Sequence, residues 1–254
     1  MEMKVFIKSL LAPAYYSLWR AYITIMGSIF RAKITNGYDI PIIINNRNRL
    51  TFLQKLIESL EVKGYRNIFI IDNNSDYQPL LNYYESCPYK IFRLDKNIGY
   101  LALWKTSIYK NFIKDFYVYT DSDVVPTENC PSDFLDQFLQ VMKSEKDLMK
   151  IGLSLNIDDL PDCFSMKSQV IDWEHQYWQQ ESEDSRFYVA NVDTTFALYR
   201  PFMKGGASRL KMYRSKKPFS AYHMPWYNDS ANLSEEEKFY IENAKTSTHW
   251  TTKR

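Results

Sequence analysis

The first half of the chain alternates short apolar runs with segments of helical periodicity. Four runs have the length of β-strands and are rich in β-branched and aromatic residues: 40–45, 67–72, 90–94 and 116–121. Strands that alternate with helices are typical of crossover connections between neighbouring parallel strands. We therefore predict a parallel, doubly wound α/β sheet.

Helices are predicted between these strands from apolar spacing and end signals. The first begins at Thr51, where Thr51 and Gln54 form a capping box, and stops at Gly64. A short helix is expected from Pro79, because proline suits a first helical turn. A longer helix is predicted over residues 101–113, where apolar residues recur at helical spacing.

The second half gives weaker signals. We predict an amphipathic helix over 131–142, a fifth strand over 151–155, an interrupted strand pattern over 188–199 and an acidic helix that begins at Ser234. Residues 204–217 are interpreted as a basic loop. The predicted fold class is α/β, with a mostly parallel sheet flanked by helices.

Polar side chains follow each of the first four strands at the point where it ends. They are Asn45, Arg47, Asp72, Asn97, Asp121 and Asp123. The carboxyl ends of parallel strands meet at one edge of a sheet, where ligands collect. The sequence therefore predicts a binding site at this edge.

Asp121 and Asp123 are separated by one residue after a strand that is predicted to be buried. Mg²⁺ or Mn²⁺ takes oxygen ligands, and is commonly held by one or two carboxylates together with the phosphates of a substrate. Such pairs also occur in surface turns, so the metal interpretation depends on the neighbouring strand ends. No G-x-G-x-x-G or Walker glycine loop is present, which argues against a dinucleotide dehydrogenase or a P-loop enzyme.

The composition is that of a globular protein of 254 residues, with 45% hydrophobic and 24% charged side chains, and it suits one α/β domain. A net charge of +2 does not indicate a nucleic-acid partner, whose usual footprint is strongly basic. Three cysteines without a C-x-x-C pair fit a reducing, cytoplasmic compartment.

Residues 1–38 form a separate N-terminal segment, because five basic residues face a single acid, Glu2, in the first 35 positions. Lys8, Pro13 and Arg20 interrupt its apolar run, so neither a spanning helix nor a secretory signal is predicted. Two interpretations stay open. The segment is a basic amphipathic helix on an anionic membrane surface, or a helix packed on the domain or a second subunit.

The order and spacing of the strand-end motifs resemble the GT-A glycosyltransferases, most closely the bacterial enzymes of family 2. The resemblance covers residues 38–200 and rests on the strand ends at 42–49, 70–75, 97–99 and 120–123. It implies a GT-A domain over residues 39–254. Its nucleotide-binding half would be 39–125, and its acceptor-binding half 126–254.

The resemblance also implies roles for individual residues around the nucleotide-sugar donor. In that family the loop after the first strand and the acid after the second lie near the base and ribose, which points to Asn45, Arg47 and Asp72. Asn97 and Asp121 are expected to join this nucleotide site. A UDP-sugar is the expected donor.

The metal site is implied in the same way. The D-x-D pair of the family binds Mn²⁺ or Mg²⁺ and the diphosphate, here Asp121 and Asp123, and His223 is the candidate that completes the metal shell. Basic side chains of residues 204–217 are expected to close over the diphosphate. A packed histidine is the ordinary alternative for His223, and a turn cap is the alternative for Asp72.

An inverting transferase needs a carboxylate that takes the proton from the acceptor hydroxyl. Asp193 interrupts an apolar strand pattern, and Glu174 lies between Trp173 and His175, so both are candidates. The family-type Glu-Asp pair after the fifth strand is not present, which leaves the base open. A structural hydrogen-bonding role is the alternative for both acids.

The expected function is extension of a cell-surface glycan or lipid-linked acceptor by a hexosyltransferase at the inner face of the membrane. Three alternatives stay open. Residues 121–125 also resemble the nucleophile strand of haloacid dehalogenase-type phosphatases. The second alternative is a nucleotidyltransferase, although the Gly-rich phosphate loop that such an enzyme has after its first strand is missing from this sequence. The third is a non-catalytic sugar-binding protein of the same fold.

Overall fold

The computed structural model describes residues 2–192, 196–205 and 210–244, with side chains from Ala12 onward. The helices within these ranges are Glu2–Ile29 (α1), Thr51–Val62 (α2), Gln78–Ser86 (α3), Phe134–Ser144 (α4), Lys167–His175 (α5) and Glu235–Asn243 (α6). The strands are Ile42–Asn46 (β1), Ile68–Asp72 (β2), Lys90–Arg93 (β3), Tyr117–Asp121 (β4), Val124–Pro126 (β5), Lys150–Gly152 (β6), Ser154–Leu155 (β7), Phe187–Val189 (β8), Ala197–Tyr199 (β9), Met212–Ser215 (β10) and Ser220–His223 (β11).

The main sheet has eight strands within the described residues, in the order β3-β2-β1-β4-β9-β6-β10-β8. β3, β2, β1 and β4 are parallel neighbours. β9 and β8 are antiparallel to their neighbours, and β6 and β10 run in the direction of β4. The predicted α/β class, a mostly parallel sheet flanked by helices, is confirmed.

Both faces of this sheet are covered, which explains why its central strands are continuous apolar runs. Ile42 and Ile44 of β1 pack with α2 and α4, while Ile43 points to the opposite layer. That second layer is built from residues 101–113 and from α1, whose Ile23 is buried. Successive side chains of a strand point to opposite faces, so one run of three isoleucines serves two cores.

A smaller sheet of three strands, β5-β11-β7, lies beyond the end of β4. The chain turns at Ser122 and Asp123, and β5 then pairs with β11 in antiparallel fashion. The predicted strand over 151–155 is divided between the two sheets, because β6 joins the main sheet and β7 joins the small one.

The predicted helix over 101–113 is wrong: this segment consists of turns and the short 3₁₀ helix Ser107–Asn111. Thr106 Oγ1 donates to the carbonyls of Ala102 and Leu103, and Asn111 Nδ2 donates to the carbonyl of Ile108. Such local side-chain bonds compete with the backbone bonds of a helix.

The predicted capping box at Thr51 is also wrong, because α2 begins at Thr51 and has no side-chain cap of its own. The N–H and hydroxyl of Thr51 donate instead to Glu236 of α6, each at 3.0 Å. A carboxylate at the first turn satisfies a free N–H and complements the helix dipole. Gly64 does end the helix, with a φ of 93° that favours glycine.

The predicted basic loop over 204–217 contains β10, and its described basic side chains do not gather over a phosphate site. Lys211 pairs with Glu145 at 2.7 Å, and Lys216 with Glu181 at 2.5 Å. Arg214 is buried beside Glu174. The three described side chains are thus paired with carboxylates, and the closing of this segment over a diphosphate stays a prediction.

Helix α1 spans most of the basic N-terminal segment and includes Pro13. Ile23 is buried against the domain, and the N–H groups of Lys33 and Ile34 donate to Asp115 after the helix ends. Over the part of the chain that the structure describes, no helix combines the length and the apolar character that a membrane span requires.

Candidate functional site

The strand order of the main sheet reverses between β1 and β4. From β1 the chain adds β2 and β3 on one side, and then returns to place β4 on the other. In open α/β sheets a crevice forms outside the carboxyl ends of the strands at such a switch point, and ligands bind there. β1 ends at Asn46 and β4 at Asp121, so the end residues of both strands lie at this switch point.

Four predicted site residues come together at this edge. Asn45 and Asp121 are opposite one another in the register of β1 and β4, and Asn45 Nδ2 donates to Asp121 Oδ1 at 3.1 Å. His223 ends β11, which places its Nε2 3.7 Å from Asp123 Oδ2. The imidazole packs on the buried ring of Trp226, with 4.6 Å between ring centroids.

A buried arginine connects the acidic pair to the last helix. Arg49 Nη1 donates to the buried carboxylate of Asp123, while its Nε and Nη2 donate to both oxygens of Glu237 at 2.9 and 3.0 Å. The ring of Tyr240 lies 3.8 Å from the guanidinium carbon. Burial disfavours the charge, but the attraction of the two carboxylates outweighs it and raises the pKa of Arg49 above its usual value. Arg49 therefore stays protonated, and its charge is shared between the carboxylates of Asp123 and Glu237.

Helix α6 forms one wall of the site. The Ser234 hydroxyl accepts from the N–H of Glu237, which confirms the predicted helix start. Near the other end of α6, the carbonyl of Asn243 accepts from Arg47 Nη1 at 3.1 Å. Phe239 packs on Tyr77, with ring centroids 5.1 Å apart. Both ends of α6 are thus tied to the loops that follow β1 and β2.

Three consecutive residues at the end of β1 carry buried polar atoms with no hydrogen-bond partner among the described residues: Asn45 Oδ1, Asn46 Oδ1 and Arg47 Nε. Leaving such an atom unpaired costs about 1–3 kcal/mol. Buried polar atoms of folded proteins are therefore bonded to protein, water or ligand in most cases. Two acceptors and one donor at the switch point would therefore gain partners if these side chains turned toward a polar ligand.

Asp72 is buried at the end of β2 and is already engaged. Its Oδ1 accepts from the N–H of Ser75 and its Oδ2 from Arg93 Nε, both at 3.2 Å. This is the turn-capping arrangement that was the alternative to a ribose contact. A nucleotide that reached Asp72 would have to exchange one of these bonds.

Asn97 forms a local turn, because its Oδ1 accepts from the N–H of Gly99 at 2.9 Å. The neighbouring loop holds this turn in place. Asn73 Oδ1 accepts from the N–H of Ile98 at 2.8 Å, and Asn73 Nδ2 donates to the carbonyl of Gly99 at 3.0 Å. Asn97 therefore shapes its own loop at the rim of the site.

Of the two candidate bases, Glu174 lies within the described residues and Asp193 does not. Glu174 lies on α5, is only 2% exposed, and accepts from Arg214 Nη1 at 2.5 Å. Arg214 also donates from Nε to the carbonyl of Asn191 at 3.1 Å. This arrangement favours a structural role for Glu174 over that of a base. Asp193 lies outside the described residues, so its role stays a prediction.

Replacing Glu174 with glutamine is expected to lower the free energy of unfolding by about 3–5 kcal/mol, because it removes a carboxylate that lies 2.5 Å from a buried guanidinium. Urea denaturation measures the change. Glu235→Gln, at a side chain that is 88% exposed, is the matched control and should change stability by less than about 0.5 kcal/mol. Equal stability of the two variants would show that the buried pair is not structural.

Asp121 and Asp123 of the D-x-D motif suit a Mg²⁺ or Mn²⁺ site that substrate phosphates complete. Among the described residues, no three His, Cys, Asp or Glu side chains are grouped so that they could hold a metal ion by themselves. Mg²⁺ and Mn²⁺ do not need such a cage, since one or two carboxylates and substrate phosphates suffice. Asp121 and Asp123 meet that requirement in ligand type. Asp123 would share its carboxylate between the cation and Arg49.

Sequence reasoning did not assign roles to Arg49, Asn46 or Glu237. Arg49 and Asn46 lie inside the polar run that follows the first strand, so their position in that run was the available signal. Glu237 is one of three acids in the first turn of α6, and nothing local distinguishes it from the other two. Only the tertiary contact with Arg49 does so.

A cavity of about 370 Å³ lies elsewhere, lined in part by Gln176, Gln180 and Lys211. Lys211 directly precedes β10, at the amino end of a strand that runs in the direction of β4. The cavity therefore opens at the sheet edge opposite to Asp121, and we do not assign it to the site.

Comparisons with solved structures give distant likenesses. No protein family and no curated protein matches the sequence. The solved structure of GalNAc-T7 with UDP, GalNAc and Mn²⁺ is similar over 69% of this chain and 41% of that one, with 13% identity and a TM-score of 0.41. This chain thus spans less than half of that protein's length.

The second likeness is to 4-diphosphocytidyl-2C-methyl-D-erythritol synthase from Anaerococcus prevotii. It covers 82% of this chain and 100% of that one, with 9% identity and a TM-score of 0.38. TM-scores of this size carry no argument for either activity. The functional proposal therefore rests on the residues of this chain.

Proposed function

We propose that this protein is a glycosyltransferase that takes a sugar from a nucleotide-diphosphate donor. The observation that carries the proposal is the set of buried polar atoms without partners at the end of β1, namely Asn45 Oδ1, Asn46 Oδ1 and Arg47 Nε. They lie at the switch point, where Asn45 is opposite Asp121. A nucleotide carries both a hydrogen-bonding base and a charged diphosphate. We propose that the polar atoms at the end of β1 bind the base, and that Asp121 and Asp123 bind the diphosphate through a metal ion.

Uridine is the nucleoside that we favour. The N–H of its base can donate to one of the two asparagine oxygens, and Arg47 Nε can donate to one of its two carbonyls, so that the other carbonyl would need a further donor. The proposed donor is therefore a UDP-sugar, and a hexose is the proposed sugar class. The resemblance to family 2 supports the same choice.

The main chemical requirement of the reaction is stabilisation of the negative charge that develops on the leaving group. When the donor bond breaks, the departing diphosphate gains negative charge. A bound Mn²⁺ or Mg²⁺, held by Asp121 and Asp123 with His223 beside them, would supply Lewis-acid stabilisation of that charge. Arg49 fixes the carboxylate of Asp123, and Glu237 orients the guanidinium, so the charges at the proposed metal site are held in place by the protein itself. Positioned charge of this kind needs no rearrangement when the reaction occurs.

Proton removal from the acceptor is proposed to fall to Asp193. The acceptor hydroxyl must lose a proton in an inverting displacement, and a carboxylate is the usual base. Glu174 is bonded to Arg214, which leaves Asp193 as the preferred candidate of the two. The inverting outcome depends on this assignment.

Location and acceptor follow from the same interpretation. We propose a cytoplasmic enzyme that extends a lipid-linked or surface glycan, with residues 126–254 contributing the acceptor side. The basic, aromatic N-terminal helix supports a membrane-proximal acceptor.

Nucleotide binding provides the direct test. Isothermal titration with Mn²⁺ present is expected to show binding of UDP and UDP-sugars and none of ATP. Asn46→Ala should weaken UDP binding about tenfold, because one hydrogen bond to the base is worth about 1.4 kcal/mol. Asn232→Ala, at an exposed asparagine far from β1 in sequence, is the matched control and should bind UDP as the parent does.

Other outcomes would replace the proposal. Absence of any nucleotide or nucleotide-sugar binding would end it. Release of phosphate from small phosphate esters would indicate the phosphatase alternative. Formation of a nucleotide-sugar from a nucleoside triphosphate and a sugar phosphate would indicate a nucleotidyltransferase. Donor binding without transfer or hydrolysis would indicate a binding protein.

A further inference from the structure

Helix α1 exposes a continuous apolar stripe. Tyr15, Leu18, Tyr22, Ile25 and Ile29 are separated by three or four residues, so they line one side of the helix. Their side chains are between 48% and 73% exposed. Ten large apolar residues are exposed in the described part of the chain, and five of them form this stripe. Contiguous exposed apolar surface of this kind marks an interaction site.

Another side of α1 packs on the domain, which keeps this stripe exposed to solvent. That side carries Ile23, which is 1% exposed and packs into the core of the second layer with Trp19 and Met26. The ring of Phe202 contacts Tyr22 at its edge, with 6.3 Å between centroids. The helix therefore cannot turn to bury the stripe without losing the contacts of Ile23.

Positive charge lies beside the stripe. Lys114 Nζ is 5.3 Å from the ring centroid of Phe30, just beyond the end of α1. Arg31 and Lys33, which follow Ile29 of the stripe, are exposed, and residues 12–38 contain no acid. Apolar side chains with tyrosines at the boundary and basic residues around them match an anionic lipid surface.

A second copy of this chain is a weaker match for the same stripe. The spacing would allow two helices to pair, but a symmetric pair brings like residues close together. Residues 12–38 contain no acid, and Asp115, which lies against the end of this segment, already accepts from the N–H groups of Lys33 and Ile34. Charge therefore favours lipid as the occupant.

We infer that α1 docks the protein on an anionic membrane surface, with the stripe of Tyr15, Leu18, Tyr22, Ile25 and Ile29 at the headgroup boundary. This inference is independent of the proposed transferase activity, because it uses none of the residues of the site. Binding is peripheral, since only one side of the helix is available to lipid.

Flotation of the full chain with vesicles tests the inference. The parent protein is expected to bind vesicles of phosphatidylcholine mixed with phosphatidylglycerol, and to bind phosphatidylcholine alone at least about tenfold more weakly. Leu18→Gln combined with Ile25→Gln should lower partitioning to the anionic vesicles at least about tenfold. Both positions are exposed, at 73% and 58%, so folding should be retained.

The matched control is Val62→Gln, which removes an equally exposed apolar side chain elsewhere, at 82% exposure. It should partition as the parent does, and thermal unfolding should be the same for all three proteins. Equal partitioning of the double variant and the control would overturn the inference. So would a lipid-free dimer, measured by light scattering, that the double variant converts to a monomer, because a second copy would then cover the stripe.

Discussion

Replacing Arg49 with methionine is expected to destabilise the protein by about 3–5 kcal/mol. Asp123 and Glu237 would remain buried close to each other without the guanidinium that lies between them. Methionine keeps most of the apolar volume, so the lost charge is the main change. A loss of this size is a large part of the 5–15 kcal/mol that stabilises a typical domain.

Urea denaturation of the Arg49 variant measures this effect. Arg20→Met, at an exposed arginine on α1, is the control and is expected to stay within about 0.5 kcal/mol of the parent. Adding Glu237→Gln to Arg49→Met should recover part of the loss, because one of the two unpaired carboxylates is then neutral. A single variant as stable as the control would mean that the buried arginine network contributes nothing to the fold.

The largest catalytic effect is expected for Asp121→Asn. If the proposed function holds, kcat/KM for sugar transfer should fall by about 10³, since charge stabilisation by a metal is worth several kcal/mol and each tenfold corresponds to about 1.4 kcal/mol. The amide can still accept a hydrogen bond from Asn45 Nδ2, so the end of β4 should keep its geometry.

The control for this variant is Asp162→Asn, at a carboxylate that is 98% exposed. It should transfer sugar at the parent rate. Dependence on Mn²⁺ should be lost only in the Asp121 variant. Full activity of that variant would remove the acidic pair from the mechanism, even if the protein still bound UDP.

Thiol reactivity offers a check that each variant is folded. Burial raises the pKa of the Cys130 thiol to about 12, so its thiolate is scarce near neutral pH, whereas Cys163 is exposed. A folded protein should be alkylated at Cys163 and not at Cys130. Labelling of Cys130 in a variant would trace its lost activity to unfolding.

The first four strands were predictable because their signals are local. Each is a short apolar run that ends in polar residues, and both faces of the sheet are covered, which requires such runs. The edge shared by Asn45 and Asp121 followed from the same pattern. A resemblance to GT-A enzymes could therefore be stated before any contact was known.

The remaining errors come from contacts that are distant in sequence. The first turn of α2 is completed by Glu236, which lies 185 residues after Thr51, so a local capping box was the wrong explanation. The three to four residues of β9 and β10 are too short to show a period. Glu174 looked like a candidate base because its partner Arg214 is 40 residues away.

The bond between Arg49 and Glu237 also bears on how the protein is made. The two residues are 188 positions apart, so the ribosome has produced nearly all of the main sheet before α6 emerges. Until then Arg49 and Asp123 lack the helix that shields them. A nascent chain that stops before Ser234 would thus expose an unfinished crevice, and that intermediate is where chaperone capture or proteolysis would act first.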